Sequence, residues 1–200
     1  DFRCTASGPI TEIHFWVSWM QNLIQPIFWV QVSIYDDIPA SPDSHSMPGQ
    51  LLWSRGFDPV FDPGQIIIRD MPDDLQGWFD PTSNQWGLQD HYLWQQINIT
   101  NIDDPFVQEE GKIYWLVIEF PDQPFIGWKE TDKNFNDAGV WLDYSGAIPQ
   151  WKPLYDPISP QEPPQQIDLA FVINGEEQPP LELDYGDAPE QDATGAATLF

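Results

Sequence analysis

Side chains along this chain change character at every second residue. In "EIHFWVSWM", Ile13, Phe15, Val17 and Trp19 share one phase, while Glu12, His14, Trp16 and Ser18 share the other. That is the pattern of a strand with one face buried and one face wet. It recurs in "IFWVQVSIY", with Phe28, Val30, Val32 and Ile34 on the core phase, and in "HYLWQQINIT", with Leu93, Ile97 and Ile99. No long stretch repeats at 3.6 residues with helix caps. Short alternating or wholly apolar runs follow one another instead, separated by Pro, Gly, Asp and Asn. Such a chain predicts an all-β fold, an antiparallel β-sandwich or jelly roll of about nine strands.

Two runs have assignable places. "KIYWLVIEF" is apolar on both phases, which predicts a central strand covered on both faces. "QIDLAFVI" is expected to close the core late, through Ile167, Leu169, Phe171 and Ile173. The punctuation repeats as well, with Asp before Pro at Asp58, Asp62, Asp80, Asp104 and Asp156. A residue before proline is pushed out of the helical region, and the Asp carboxylate can accept a local N–H. These are read as turns, with the preceding aromatic pinning the loop to the core. Residues 158–166 form a Pro-rich crossover. Residues 1–174 are expected to be the sandwich domain, and 175–200, rich in Pro and acid, an extended tail or linker.

Composition excludes several function classes. Lys and Arg number 7 against 32 Asp and Glu, a net charge of −25. That charge repels phosphate backbones and anionic lipid, so nucleic acid is not an expected partner. No run is apolar enough for membrane insertion as a helix. Cys4 is the single cysteine, so no internal disulfide forms, and a buried thiol is expected beside the first strand. The abrupt start at "DFRC" is read as a mature or trimmed form whose signal peptide is not in this chain.

Aromatic residues on the wet phase are the main functional signal. Trp16, Trp29, Tyr35, Tyr92 and Trp94 all fall beside Gln, Asn and Ser. Rings in that company serve a protein interface or stack on sugars. The alternative is that a loop or the tail covers them. Asp132, Asn134, Asn136 and Asp137 in "DKNFND" resemble the opening of an EF-hand loop, but its sixth position holds Asp137 instead of Gly. They are the candidate calcium ligands, and calcium is the one cofactor suggested. The same residues also read as a polar turn. In the tail, "ATGAATLF" places Thr194, Ala196, Thr198 and Phe200 where a strand could be donated to an open sheet edge. Asn98-Ile99-Thr100 fits a glycosylation sequon, with Asn98 on the outward phase, and no glycan is expected there. No nucleophile motif, zinc-protease motif or phosphate loop occurs, so no catalytic residue is assigned and an enzyme is not expected.

"DFRCTASGPITEIHFWVSW", "LWQQINI", "VQEEGKIYWLVIE", "GWKETD", "NDAGVW" and "IDLAFVI" together resemble an uncharacterised secreted β-sandwich domain. That domain occurs in large bacterial surface proteins, some with PEP-CTERM-type sorting tails. The likeness spans residues 1 to about 174. "LDYGDAPE" resembles a segment that follows such domains and leads into another extracellular module. The resemblance implies a β-sandwich and an extracellular or cell-surface location, and it supplies no catalytic residues. The expected function is a non-enzymatic structural or adhesive surface protein, a homo-oligomer or a partner of neighbouring modules, with a filament subunit as one form. The alternative is a carbohydrate-binding module that stacks polysaccharide on Trp16, Trp29, Tyr92 and Trp94.

Overall fold

The computed structural model describes residues 1–175 except 122, 132, 134 and 161–163, and the backbone alone of Pro72 and Asp73. The strands among them are β1 (Phe2–Arg3), β2 (Gly8–Trp19), β3 (Val30–Ile38), β4 (Met47–Phe57), β5 (Ile66–Asp80), β6 (Gln85–Ile99) and β7 (Val107–Gln108). They continue with β8 (Ile113–Glu119), β9 (Ile126–Trp128), β10 (Glu130–Thr131), β11 (Val140–Asp143), β12 (Gln150–Pro153), β13 (Asp168–Leu169) and β14 (Phe171–Gly175). Among the described residues the one helical element is a 3₁₀ turn, Met20–Asn22.

All strand pairs are antiparallel, in an all-β, sandwich-like arrangement. The smaller main sheet runs β1-β8-β3-β4, and the larger runs β14-β2-β6-β5 with β7 and β9 on β2. Ile13, Phe15, Val17 and Trp19 of β2 and Ile97 and Ile99 of β6 share one core with Val30, Val32 and Ile34 of β3. These are the residues that alternation assigns to the buried phase. Strand β8 lies between β1 and β3, and Tyr114, Trp115 and Leu116 bury consecutive side chains on both faces, as its doubly apolar sequence requires.

Three expectations need correction. Phe28 is 64% exposed because β3 starts only at Val30, so the core phase does not extend back to it. Phe57 is fully buried, but Phe61 is 83% exposed and pins nothing. Ile167 is buried and Phe171 and Ile173 pack against the core, whereas Leu169 belongs to the small β10-β13 sheet beside it.

Three of the five Asp-Pro pairs show the turn chemistry expected of them. Asp58 Oδ1 accepts the N–H of Val60 (2.7 Å), Asp80 Oδ1 that of Thr82 (2.9 Å) and Asp156 Oδ1 that of Ile158 (2.9 Å). Each carboxylate thereby closes a turn two residues ahead of itself.

The β5–β6 hairpin is longer than its sequence suggests. "MPDDLQG" reads as a break, yet β5 continues through it to Asp80. Register shifts between Pro72 and Gln76 and between Gln76 and Trp78 absorb the irregular residues. Bulges of this kind increase local twist and turn a strand out of plane. The far half of the hairpin brings Trp78 against Gly127, where a Cβ would meet the indole at 2.8 Å.

Candidate functional site

Register decides which outward rings become neighbours. On the face of the larger sheet turned away from the core, Ser18 pairs with Trp94, Trp16 with Gln96 and His14 with Asn98. On the far side of β6, Met71 pairs with Trp94, Arg69 with Gln96 and Ile67 with Asn98. On the far side of β2, Val172 pairs with His14. Cross-strand partners share a face, and diagonal neighbours lie within reach of large side chains. Trp16 and Trp94 therefore lie on one face, diagonal to each other across β2 and β6, and Tyr92 follows two residues along β6.

Trp16 and Trp94 are half-buried, and Tyr92 is 49% exposed. The Trp94 Nε1 is buried without a hydrogen-bond partner among the described residues. Asn22, in the 3₁₀ turn, accepts the N–H groups of Tyr92 (3.1 Å) and Leu93 (3.0 Å) on its Oδ1 and so anchors this end of β6.

A polar strip runs beside the rings. His14 Nδ1 donates to Asn98 Oδ1 (2.7 Å), and Asn98 Nδ2 donates to Ile67 O (3.2 Å). Asn98 lies on the outer face as its phase predicts, but it is buried there, which leaves its amide occupied. Glu12 Oε2 accepts from Asn174 Nδ2 (3.1 Å) and lies 3.3 Å from His14 Nε2. Those two hydrogen bonds, the Asn174 one first, hold the pKa of the Glu12 carboxyl below its ordinary value.

Trp29 and Tyr35 belong elsewhere. Trp29 covers Gly56 of β4, where a Cβ would fall 1.7 Å from its ring, and its Nε1 donates to Gln31 Oε1 (3.2 Å). Tyr35 meets Trp151 of β12 edge to face, with ring centroids 6.3 Å apart. Burial pushes the Tyr35 phenol above its usual value, and Glu119 adds to the shift. Both rings stand on the outer face of the smaller sheet, so the five outward aromatics divide between two faces.

The candidate ion loop is seen in part. Asp132 and Asn134 lie outside the described residues, as do the strand-donation residues Thr194, Ala196, Thr198 and Phe200. Asn136 Nδ2 donates to Asp1 Oδ2 (3.2 Å), and Asp137 Oδ2 accepts from Ser46 Oγ (2.6 Å). Among the described residues, no group of three His, Cys, Asp or Glu side chains is placed to hold a metal ion. Asp36 accepts the N–H of Gln50, Asp37 accepts Trp115 Nε1 (2.8 Å) and Asp103 pairs with Arg55.

Cys4 is buried and donates to Gln108 Oε1 (2.9 Å). Burial pushes its thiol up to about 11, so it holds its proton at neutral pH and is a poor nucleophile.

Sequence reasoning had no way to find a cleft elsewhere on the molecule. The tip of the β5–β6 hairpin, the β11–β12 hairpin and the chain after β12 enclose a cleft of about 350 Å³. Its walls come from Phe79, Trp141 and Tyr155, which are far apart in sequence and carry no shared motif. No helix among the described residues is long and apolar enough to cross a membrane.

A family model described as "Domain of unknown function (DUF7901)" matches residues 1–174. Neither a curated protein nor a solved structure matches the chain.

Proposed function

We propose, from the premise that the chain belongs to the DUF7901 family of domains of unknown function, that it is a non-enzymatic structural or adhesive module of an extracellular or cell-surface protein. It associates with copies of itself or with neighbouring modules. The observation that carries this reading is the outer face of the larger sheet. Ile67, Val172 and Tyr92 are 41%, 43% and 49% exposed there, around the half-buried Trp16 and Trp94. Apolar and aromatic side chains on a face outside the core, interspersed with polar groups such as His14 and Asn98, suit an interface. The position of the aromatics also supports it. Tyr and Trp bury large area at little cost in side-chain entropy and are enriched where proteins meet.

Light scattering across a range of protein concentrations tests this. The expected mass exceeds the 23.0 kDa of one chain. Replacing Ile67 and Val172 together by Asp should lower the mass while leaving the thermal transition in place. A chain that stays monomeric at every concentration would sink the self-association reading.

A polysaccharide platform on the same face is the second reading. It is favoured by the register of Trp16 with Gln96 and Arg69, which puts hydrogen-bonding groups at the edge of a ring. Trp29 stands on the other sheet, so the platform would consist of Trp16, Tyr92 and Trp94. Retention on insoluble polysaccharide that survives Trp16→Ala would remove it.

A further inference from the structure

The cleft at the tip of the β5–β6 hairpin lies apart from the outer face just described, and its chemistry is different. It is lined by Phe79 and Asn84 from the hairpin tip, Trp141 from β11, and Tyr155, Asp156 and Ser159 from the chain after β12, with four prolines between them. Its volume of about 350 Å³ is at the small end of the range for ligand sites. From this lining we propose that the cleft binds a neutral saccharide of one or two rings, as a recognition site without hydrolysis.

Shape and rigidity come first. Proline locks its own φ, so a wall with four prolines loses little freedom when a ligand arrives. Trp141 is held in place because Lys152 Nζ sits 5.7 Å from its ring centroid and is itself paired with Asp143. Tyr155 is 37% exposed and bridges antiparallel to Gln166. The polar groups are also fixed. Asp156 Oδ1 caps the N–H of Ile158 (2.9 Å), the N–H of Ser159 donates to Asp156 O (3.2 Å), and Ser159 Oγ accepts the N–H of Gln165 (3.2 Å). Asn84 occupies the left-handed region at φ 52°, which Asn tolerates in a tight turn.

Charge then selects the ligand class. Among the described residues, no Lys or Arg lines the cleft and Asp156 is the one carboxylate of its lining, and the chain carries −25. An anionic ligand would meet repulsion, since Lys152 over Trp141 is already paired with Asp143. What fits is a neutral molecule with a C–H face for the rings and hydroxyls for Asn84, Asp156 and Ser159, which describes a pyranose. Glycoside hydrolysis needs two carboxyl groups flanking the bond, and the described lining supplies one, which is the ground for proposing recognition without hydrolysis.

Isothermal titration of the full chain against a panel of neutral mono- and disaccharides, with a neutral polysaccharide as a separate arm, tests the proposal. Binding to a panel member is expected. Tyr155→Ala and Asp156→Asn should each weaken it by about tenfold or more. Asn can still accept the Ile158 N–H, so the second variant keeps the turn, and thermal denaturation checks both folds. Trp16→Ala should leave this binding unchanged, and the two cleft variants should leave the light-scattering mass unchanged. The failure of one reading is thereby separable from the failure of the other. Binding by the polysaccharide arm alone would place the recognised unit within a polymer and still requires the same two residues. The proposal is overturned if no neutral saccharide binds at millimolar concentration, if binding ignores both cleft variants, or if a proline-rich peptide or an acidic sugar takes the site instead.

Discussion

His91 is the residue whose surroundings differ most from its sequence context. It lies at 1% exposure in a strand otherwise read as half-wet, edge-on to Trp78 with ring centroids 6.2 Å apart. Its Nδ1 is 3.3 Å from Asp90 Oδ1, and its Nε2 has no hydrogen-bond partner among the described residues. Burial lowers its pKa below the ordinary 6.5, and the charge of Lys129 lowers it further against the opposing pull of Asp90. A base with a depressed folded-state pKa is protonated first in the unfolded chain. Its contribution to stability is therefore complete above about 6.5 and is lost as pH falls through and below that value. Urea midpoints measured from pH 7.5 down to 5 should fall more steeply for the native chain than for His91→Gln, which cannot take up the proton. Parallel profiles would show that His91 does not titrate as its burial demands. What packs against the imidazole is Trp78, on a strand that pairs with it through a register shift, so its burial depends on long-range pairing.

At the scale of elements, the β5–β6 hairpin does the most to organise the surface. Gly127 of β9 pairs with Ser18, and the Trp78 indole occupies the space a side chain would need there. Gly127→Val should therefore displace the far half of the hairpin, at a cost of about 1–3 kcal/mol for a crowded site. Denaturant midpoints check this, and Trp78→Leu in the same chain should recover part of the loss. Two independent, additive costs would mean that the contact is not shared. The short apolar run in "QIIIRD" marks the start of β5. It could not find the second half, because Pro, Asp and Gly locally favour a turn. Only pairing with β6 on the other side keeps the backbone extended through them.

For the whole molecule, the relevant quantity is the imbalance of 32 acids against 7 bases. Like charges repel more in the compact state than in the extended chain, and added salt screens that repulsion over about 10 Å at 0.1 M. The urea midpoint should rise as sodium chloride goes from a few millimolar to a few hundred. A falling midpoint would mean that the few ion pairs, such as Lys112–Glu109 and Lys152–Asp143, outweigh the general repulsion.

By itself the sequence determined the fold class and much of the buried set. Period-two alternation is a local property of the chain: it puts Ile13, Phe15, Val17 and Trp19 on one side of a strand whatever the strand's neighbours are, and the double phase of β8 marks a strand with no wet face. Tertiary structure alone decided the rest. Alternation names which rings face outward but says nothing of which strands are adjacent. It therefore could not tell that Trp16 and Trp94 would share one face of β2 and β6 while Trp29 and Tyr35 stood on the other sheet. The cleft between Phe79, Trp141 and Tyr155 was further still from view, since it is assembled from three segments whose proximity depends on long-range pairing and a bulged hairpin, and no short-range rule of side-chain spacing encodes either.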